Sequence, residues 1–412
     1  MRCAVFTNQF PSQISTFFAR DMRGLINAGV DVDIFPFYPL EPDLWRYVPQ
    51  ILSDVVLPRN KIHHMTLTES LRHAGWPDKK LLTFSHDIVP ICLSAAKFGS
   101  DRLAKTIYVL LKTLSWARLY NRNYDHILAY WGNYAATCAY IFHRIIDRAI
   151  PFSMFLHAGM DLYEGQVYMR EKLLYADNII VVCDFNRRFL HEHFNDIFPQ
   201  ISAKITKHHL GLDFAEFRYE PDGRSKRKIL AVGGLYEYKG FDYLLRAGHV
   251  LSSRGLDYEI ELVGDGPEAN SLKRLAADLK IEQRVKFMGW LPPSEVRTTM
   301  NRATTLVHPS NGLGDAVPTV IKEAMATGLP VIASDVAGIP ELLDNGNCGI
   351  LVPPRNVEAL ASAIEKLLMN SELCRSYAES GRRYATEQFD LWRNGHHLAD
   401  LLRSTTRLQP NH

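Results

Sequence analysis

The sequence predicts an α/β protein of two doubly wound, Rossmann-like domains facing across a cleft. Three observations carry this expectation. Strand and helix patterns alternate almost throughout the chain. The alternation pauses at a charged stretch, Glu220-Pro221-Asp222-Gly223-Arg224-Ser225-Lys226-Arg227-Lys228, which reads as a linker, and then restarts. Finally, 412 residues is the length of two domains.

In the first half, Cys3–Thr7, Val30–Phe35, His126–Tyr130, Pro151–His157, Asn178–Cys183 and Lys204–His209 read as strands, because each is a short apolar run of buried-strand length. Helical periodicity fits Thr16–Ala28, Tyr134–Asp147 and Gln166–Tyr175, while the proline-rich Pro36–Pro49 reads as irregular. After the linker come strand Ile229–Val232, helix Phe241–Arg254, strand Tyr258–Val263, helix Pro267–Leu279 and strands Arg284–Met288 and Thr304–His308. Helix Pro318–Thr327, strand Pro330–Ser334 and helix Val357–Met369 follow, and Phe389–Arg407 reads as one terminal helix. The expected domains are 1–218 and 219–388, with 389–412 as a final helix. Ligands of such folds bind beyond the carboxyl ends of the strands.

Composition narrows the function. Hydrophobic residues make up 47% and charged residues 22%, as in ordinary soluble proteins. A net charge of +2 gives no basic excess for a nucleic-acid partner. Cys3, Cys92, Cys138, Cys183, Cys348 and Cys374 are scattered, which suits a reducing, cytoplasmic compartment and offers no disulfide framework or zinc knuckle. Neither a signal peptide nor a membrane span is expected.

The densest chemical signal is Ser310-Asn311-Gly312-Leu313-Gly314-Asp315-Ala316-Val317-Pro318-Thr319-Val320-Ile321-Lys322-Glu323. Asp315 and Glu323 stand eight positions apart across a helix start, after a glycine-bearing loop. Pro318 fits the first helical turn, where a missing N–H costs nothing. Gly312 and Gly314 permit close backbone approach, and the free amides of a helix start favour an anion. Two carboxylates could then hold hydroxyls around a bound phosphate. An ordinary crossover with a solvated Asp and Glu fits the local string equally well. Gly264 and Gly266 also permit close approach after a strand, but without a G-x-G-x-x-G pattern no nicotinamide site is expected.

Further strings run from residue 229 to 366: Val232-Gly233-Gly234-Leu235 with Lys239-Gly240-Phe241, Leu262-Val263-Gly264-Asp265-Gly266-Pro267, Val285-Lys286-Phe287-Met288-Gly289-Trp290-Leu291, His308-Pro309-Ser310, Glu323-Ala324-Met325-Ala326, Gly338-Ile339-Pro340-Glu341-Leu342 and Gly349-Ile350-Leu351-Val352-Pro353-Pro354. In order and spacing they resemble the retaining glycosyltransferases of the GT-B fold, family 4 (glycosyl transferases group 1). The first half resembles, more faintly, a subgroup acting in exopolysaccharide and colanic-acid-type assembly, through Phe10-Pro11 with Thr16-Phe17, Phe155-Leu156-His157-Ala158 with Asp161, and His208-His209-Leu210-Gly211-Leu212-Asp213.

The resemblance implies a metal-independent hexosyl-type transferase that takes a nucleotide-sugar donor and a glycan or lipid-linked saccharide acceptor, with no cofactor. It implies that Glu323 binds the ribose, Asp315 contacts the donor sugar and Lys239 holds the diphosphate. It places Gly314, Ala316, Val317, Pro318 and Thr319 at the anion-facing helix start, Gly234, Gly264 and Gly266 against the nucleotide, and base contacts near Gly289 and Trp290. His157 would sit over the donor sugar, with Thr16 and Asp161 on the acceptor side. Two positions depart from the family: Asp315 replaces the usual Glu, and Gly234 stands where an Arg is common. The terminal helix would return to the first domain with Trp392 as an anchor. Alternatives left open are a sugar-nucleotide hydrolase or epimerase and a non-catalytic binder of a glycan or partner.

Three other features carry weaker readings. Asp31-Val32-Asp33 spells a D-x-D string but lies in a strand pattern, so a structural role is favoured and no metal is expected. The pairs His63-His64, His208-His209 and His396-His397 lack ligand spacing and read as surface or loop residues. Asp101 to Arg118 reads as a cationic amphipathic helix, whose apolar face packs into the core or meets the inner face of the cytoplasmic membrane as a peripheral contact.

Overall fold

The computed structural model describes residues 1–12, 16–47, 58–74, 79–120, 123–146 and 149–405. The expected ends at Pro49, Asp147 and Arg407 lie outside the described residues. Among those described, twelve strands form two six-stranded parallel sheets. The chain divides into two compact units, Met1–Gly211 with Leu391–His412, and Leu212–Asp390.

The first sheet has the order β2-β1-β3-β4-β5-β6, from β1 (Arg2–Thr7), β2 (Asp31–Pro36), β3 (His126–Ala129), β4 (Phe152–Leu156), β5 (Asn178–Val181) and β6 (Ile205–Lys207). Its helices are α1 (Thr16–Asn27), α2 (Leu67–Ala74), α3 (Lys79–Ala96), α4 (Ser100–Leu119), α5 (Tyr134–Ile146), α6 (Met169–Tyr175), α7 (Asp184–His193) and the single turn α8 (Phe198–Ile201). β3 and β4 are buried at every residue, as a parallel sheet covered on both faces requires. Phe6 and Phe35 stack across neighbouring strands at 4.9 Å, and Trp116 and Phe142 pack against them from the helices.

The second sheet has the order β12-β11-β10-β7-β8-β9, from β7 (Lys228–Val232), β8 (Glu259–Val263), β9 (Val285–Gly289), β10 (Thr305–His308), β11 (Val331–Ser334) and β12 (Ile350–Val352). Around it lie α9 (Phe241–Ser253), α10 (Ala269–Asp278), α11 (Pro293–Arg302), α12 (Thr319–Thr327), α13 (Ile339–Leu342), α14 (Val357–Met369) and α15 (Ser371–Gln388). β7 alternates between two cores: Ile229 and Ala231 face one, Leu230 the other. A period of two with both faces apolar produces the continuous hydrophobic run in the sequence.

Both sheets reverse their winding once, between β1 and β3 and between β7 and β10. Such switch points open crevices at the carboxyl ends of the flanking strands.

The last helix, α16 (Leu391–Ser404), belongs to the first unit. It buries Leu391, Gly395, Leu398, Ala399 and Leu402, a stripe of helical period. The Arg23 guanidinium covers the Trp392 ring at 4.6 Å. Gly395 meets Gly24 of α1 so closely that an added Cβ would stand 2.6 Å from the Gly24 Cα. Gly395→Ala should therefore overpack this crossing and lower stability by about 1–3 kcal/mol, read from the urea midpoint. An unchanged midpoint would show that the helix can back away freely.

Several expectations need correction. The stretch Glu220–Lys228 is not a free linker: the Arg224 guanidinium donates to the carbonyls of Met300 and Thr327, which bind it into the second unit. The terminal helix starts at Leu391 rather than Phe389, since α15 ends at Gln388 and Phe389 and Asp390 separate the two. α6 begins at Met169 rather than Gln166 because Tyr168 has left-handed φ/ψ of 57° and 31°. His63 and His208 lie in loops, one of the two expected settings, but both are buried. His63 bonds Asp33 at 2.8 Å, and Arg2 Nε donates to the same carboxylate at 2.9 Å. Burial opposes ionisation of Asp33, yet these partners bring its pKa down to about 2, and the D-x-D aspartate is a core ion-pair residue. On α4, Lys112 is buried with its ammonium on the Phe37 carbonyl at 2.5 Å, so the face that carries it packs inward.

Candidate active site

The switch point of the second sheet is built by two loops. One leaves β7 through Gly233, Gly234 and a 3₁₀ turn, Glu237–Lys239. The other leaves β10 at His308 and runs to α12. Gly240 ends the 3₁₀ turn at φ 66°, and a Cβ there would stand 2.1 Å from the Pro309 carbonyl oxygen. Only glycine allows both that conformation and that approach. The loops are then joined where Ser310 Oγ donates to the Tyr238 carbonyl at 3.0 Å and the Asn311 amide donates to the same oxygen at 2.9 Å.

This joint brings Lys239 to Asp315. The ammonium lies 2.6 Å from both carboxylate oxygens, with the side chains only 14% and 12% exposed. His308 Nε2 lies 3.1 Å from Oδ2 and Ser310 Oγ donates to the same oxygen at 3.2 Å. Burial raises the cost of the Asp315 charge, but Lys239 and His308 outweigh it and hold the carboxyl well below the ordinary range. Burial also keeps His308 below its ordinary value, so it is neutral near pH 7 and donates from Nε2 to the carboxylate.

α12 starts at Thr319, with Pro318 as its extended N-cap rather than a first-turn residue. Ala316 and Pro318 are buried, Val317 and Thr319 half-buried, and Glu323 is half-buried on the second turn. Gly314 lies against the Tyr238 ring, which a Cβ would reach at 3.0 Å. Gly234 lies against Tyr236 in the same way, at 2.7 Å, and the two tyrosine rings stack at 5.8 Å. Gly264, at φ 137°, follows β8 so closely that a Cβ would stand 1.9 Å from the Gly233 carbonyl oxygen, and Gly266 abuts Leu235. Trp290, after β9, is 48% exposed.

In the first unit, His157 follows β4 inside a ring of aromatics, 4.5 Å from Phe155, 4.7 Å from Trp131, 4.8 Å from Tyr130 and 5.6 Å from Phe17, centroid to centroid. Its Nε2 lies 3.0 Å from the Tyr130 carbonyl, which can only accept, so that nitrogen carries the proton. Thr16 is half-buried as the first residue of α1. Asp161 is buried, with its oxygens on the amides of His157 (2.6 Å) and Gly132, so it shapes the loops around His157.

Four contributors escaped the sequence reading. His308 and Ser310 were visible only as part of a motif string. Asn186 donates from Nδ2 to the His157 carbonyl at 2.5 Å, and Lys172 is buried with its ammonium 2.8 Å from the Gly132 carbonyl. Neither has a local signal, since each acts across loops distant in sequence. Among the described residues no group of three or more His, Cys, Asp or Glu side chains is placed to hold a metal ion.

Residues 215–384 match the profile of the family described as Glycosyl transferases group 1. The match falls inside the second unit, and Lys239, Asp315 and Glu323 all lie within the matched residues. Across 89% of this chain and 90% of its own length, the amylovoran biosynthesis glycosyltransferase AmsK of Erwinia amylovora is 26% identical. Among solved structures, sucrose-phosphate synthase from Thermosynechococcus elongatus superposes with a TM-score of 0.71 at 18% identity, over 98% of each chain. Anabaena HepE in complex with UDP gives 0.69 at 16% identity, over 98% of this chain and 100% of that one. The fold is the GT-B fold expected from the sequence, with a Rossmann-like domain in each unit.

Proposed function

We propose that this chain is a retaining, metal-independent glycosyltransferase of family 4. It moves a hexose-type sugar from a nucleotide sugar to a glycan or lipid-linked saccharide in polysaccharide assembly, in the cytoplasm. The observation that carries this reading is the half-buried Lys239 ammonium at the switch point, directly ahead of the helix that bears Glu323. An incoming diphosphate replaces Asp315 as the partner of Lys239, and the helix-start amides share its charge. Asp315, released from the ion pair, accepts a hydrogen bond from a hydroxyl of the donor sugar. Glu323 accepts from the ribose diol. The likeness to AmsK, an amylovoran biosynthesis glycosyltransferase, supports the polysaccharide role, and the UDP bound by HepE supports a nucleotide donor.

Retention follows a front-face displacement in this reading. The acceptor hydroxyl oxygen bonds to the anomeric carbon on the side from which the diphosphate leaves. The anomeric carbon–oxygen bond breaks toward the diphosphate, and a phosphate oxygen takes the hydroxyl proton. Lys239 offsets the charge that grows on the leaving group. His157 and its aromatic ring line the acceptor-side unit, and Asp161 positions them.

NMR of the product formed from an α-linked nucleotide sugar, with chelator present, tests the proposal. An α-linked product at undiminished rate is expected. A β-linked product would overturn retention, and loss of activity in chelator restored by a divalent cation would overturn metal independence.

A further inference from the structure

The first unit also contains a cavity of about 360 Å³ that plays no part in the site above. It opens between the end of α3, the connection from β4 to α6, and the end of α7. Its walls are aromatic, from Phe98, Tyr163, Tyr168, Phe189 and Phe194. Its edge carries both signs of charge, with Lys97 and Arg170 set against Glu164 and Glu171.

Two local features show that these rings are held in place. Phe98 is 44% exposed and lies against Gly165, where any Cβ would stand 2.6 Å from the ring. Tyr168 has a left-handed backbone, φ 57° and ψ 31°, which is an outlier for a bulky side chain. The Ser94 hydroxyl accepts from its amide at 2.9 Å, and its carbonyl accepts from the Lys172 amide at 3.2 Å. Strain of this kind persists where surrounding contacts over-determine it and gathers at ligand sites.

We propose that this cavity binds the non-reacting residues of a neutral oligosaccharide acceptor, a reading that rests on the saccharide transfer proposed above. A sugar ring offers a C–H face to an aromatic wall and hydroxyls to a polar edge. A phosphate or nucleotide calls for cations alone, whereas here acids match bases. An acyl chain would desolvate the exposed Glu164 without offsetting its charge. The volume matches small-ligand sites and accommodates about two hexose rings.

The cavity shares its wall with the scaffold of His157. One connection carries the 3₁₀ turn Gly159–Asp161, which organises His157, and then Tyr163 to Met169, which line the cavity. The Tyr163 hydroxyl donates to Asn186 Oδ1 at 2.5 Å, and Asn186 Nδ2 donates to the His157 carbonyl. A glycan seated here would therefore lie one hydrogen-bonded relay from the acceptor-side histidine.

Saturation-transfer NMR on the full chain, with tri- and tetrasaccharides of gluco-, galacto- and manno-configured chains, tests this. At least one oligosaccharide should receive transfer into its ring protons. Phe98→Ala and Tyr168→Gly should each weaken that binding about tenfold, the scale of a lost aromatic contact. Glycine accepts the left-handed backbone of residue 168 without strain, so the second variant removes the ring and not the fold. Transfer to none of the oligosaccharides, transfer insensitive to both substitutions, or displacement by dodecyl chains without sugar would each overturn the proposal. Calorimetry with UDP-, GDP- and ADP-sugars on the same samples reads the donor site separately. Donor binding without oligosaccharide binding defeats the cavity alone, and the reverse defeats the transferase reading alone.

Discussion

Lys239→Ala is expected to lower kcat/KM for the donor by about 10²–10³-fold, the scale of one lost donor group facing a leaving-group charge. The ammonium sits 2.6 Å from each Asp315 oxygen and is largely withdrawn from water, so its position is fixed before any ligand arrives. A pre-positioned charge needs little reorganisation when the diphosphate replaces the carboxylate. In the alanine variant His308 and Ser310 still hold Asp315, but both are neutral donors and neither can offset a diphosphate. Lys239→Arg should recover only part of the loss, because a planar guanidinium does not fit the contacts of a compact ammonium. Asp315→Ala should behave differently. It frees Lys239 for phosphate, so nucleotide affinity is kept or improves while kcat falls with the loss of the sugar contact. Calorimetry and steady-state kinetics on the three variants separate these outcomes. Undiminished donor affinity in Lys239→Ala would remove Lys239 from the diphosphate site.

The contrast between Asp315 and its partners shows what the sequence made legible. Its spacing from Glu323 and its place after an apolar strand marked it as a site residue, because strand ends and helix starts announce themselves through periodicity and proline. Its ion pair with Lys239 was hidden. That pairing depends on Gly240 fitting under the Pro309 carbonyl, a contact between loops separated by about seventy positions in the chain. The parallel strands were read well because burial on both faces leaves uninterrupted apolar runs, as in β3, β4 and β10. α2 and α3 escaped notice, and α3 even contains Pro90, which argues locally against a helix. His63 and His208 were misplaced for a related reason. A histidine doublet looks solvent-exposed until a carboxylate such as Asp33 is found beside it in space. The late start of α6 was hidden because a left-handed tyrosine at 168 has no signature comparable to glycine.

Lys172→Met is expected to lower stability by about 3–5 kcal/mol, since three acceptors lose their donor at about 1–3 kcal/mol for each one left buried. Lys172 is wholly buried, and its ammonium donates to the carbonyls of Gly132 at 2.8 Å and Asn133 at 3.3 Å and to Thr137 Oγ1 at 3.2 Å. Asp161 receives the amides of the same loop from the other side. Burial pushes the lysine down to about 7 and the aspartate up to about 7, each against the attraction of the other. Methionine fills the space but supplies no donors for the three acceptors. Between about 7 and the ordinary lysine value of 10.5 the unfolded chain holds the lysine proton more tightly, so Lys172 makes stability climb with pH across that window. The variant should lose this climb as well as the baseline stability, and urea titrations from pH 6 to 10 read both. Since the same loop carries Tyr130 and Trp131, which pack on His157, kcat should fall in Lys172→Met even at temperatures where the variant remains folded. A full kcat with reduced stability would show that this buried pair serves the fold alone and that His157 keeps its place without it.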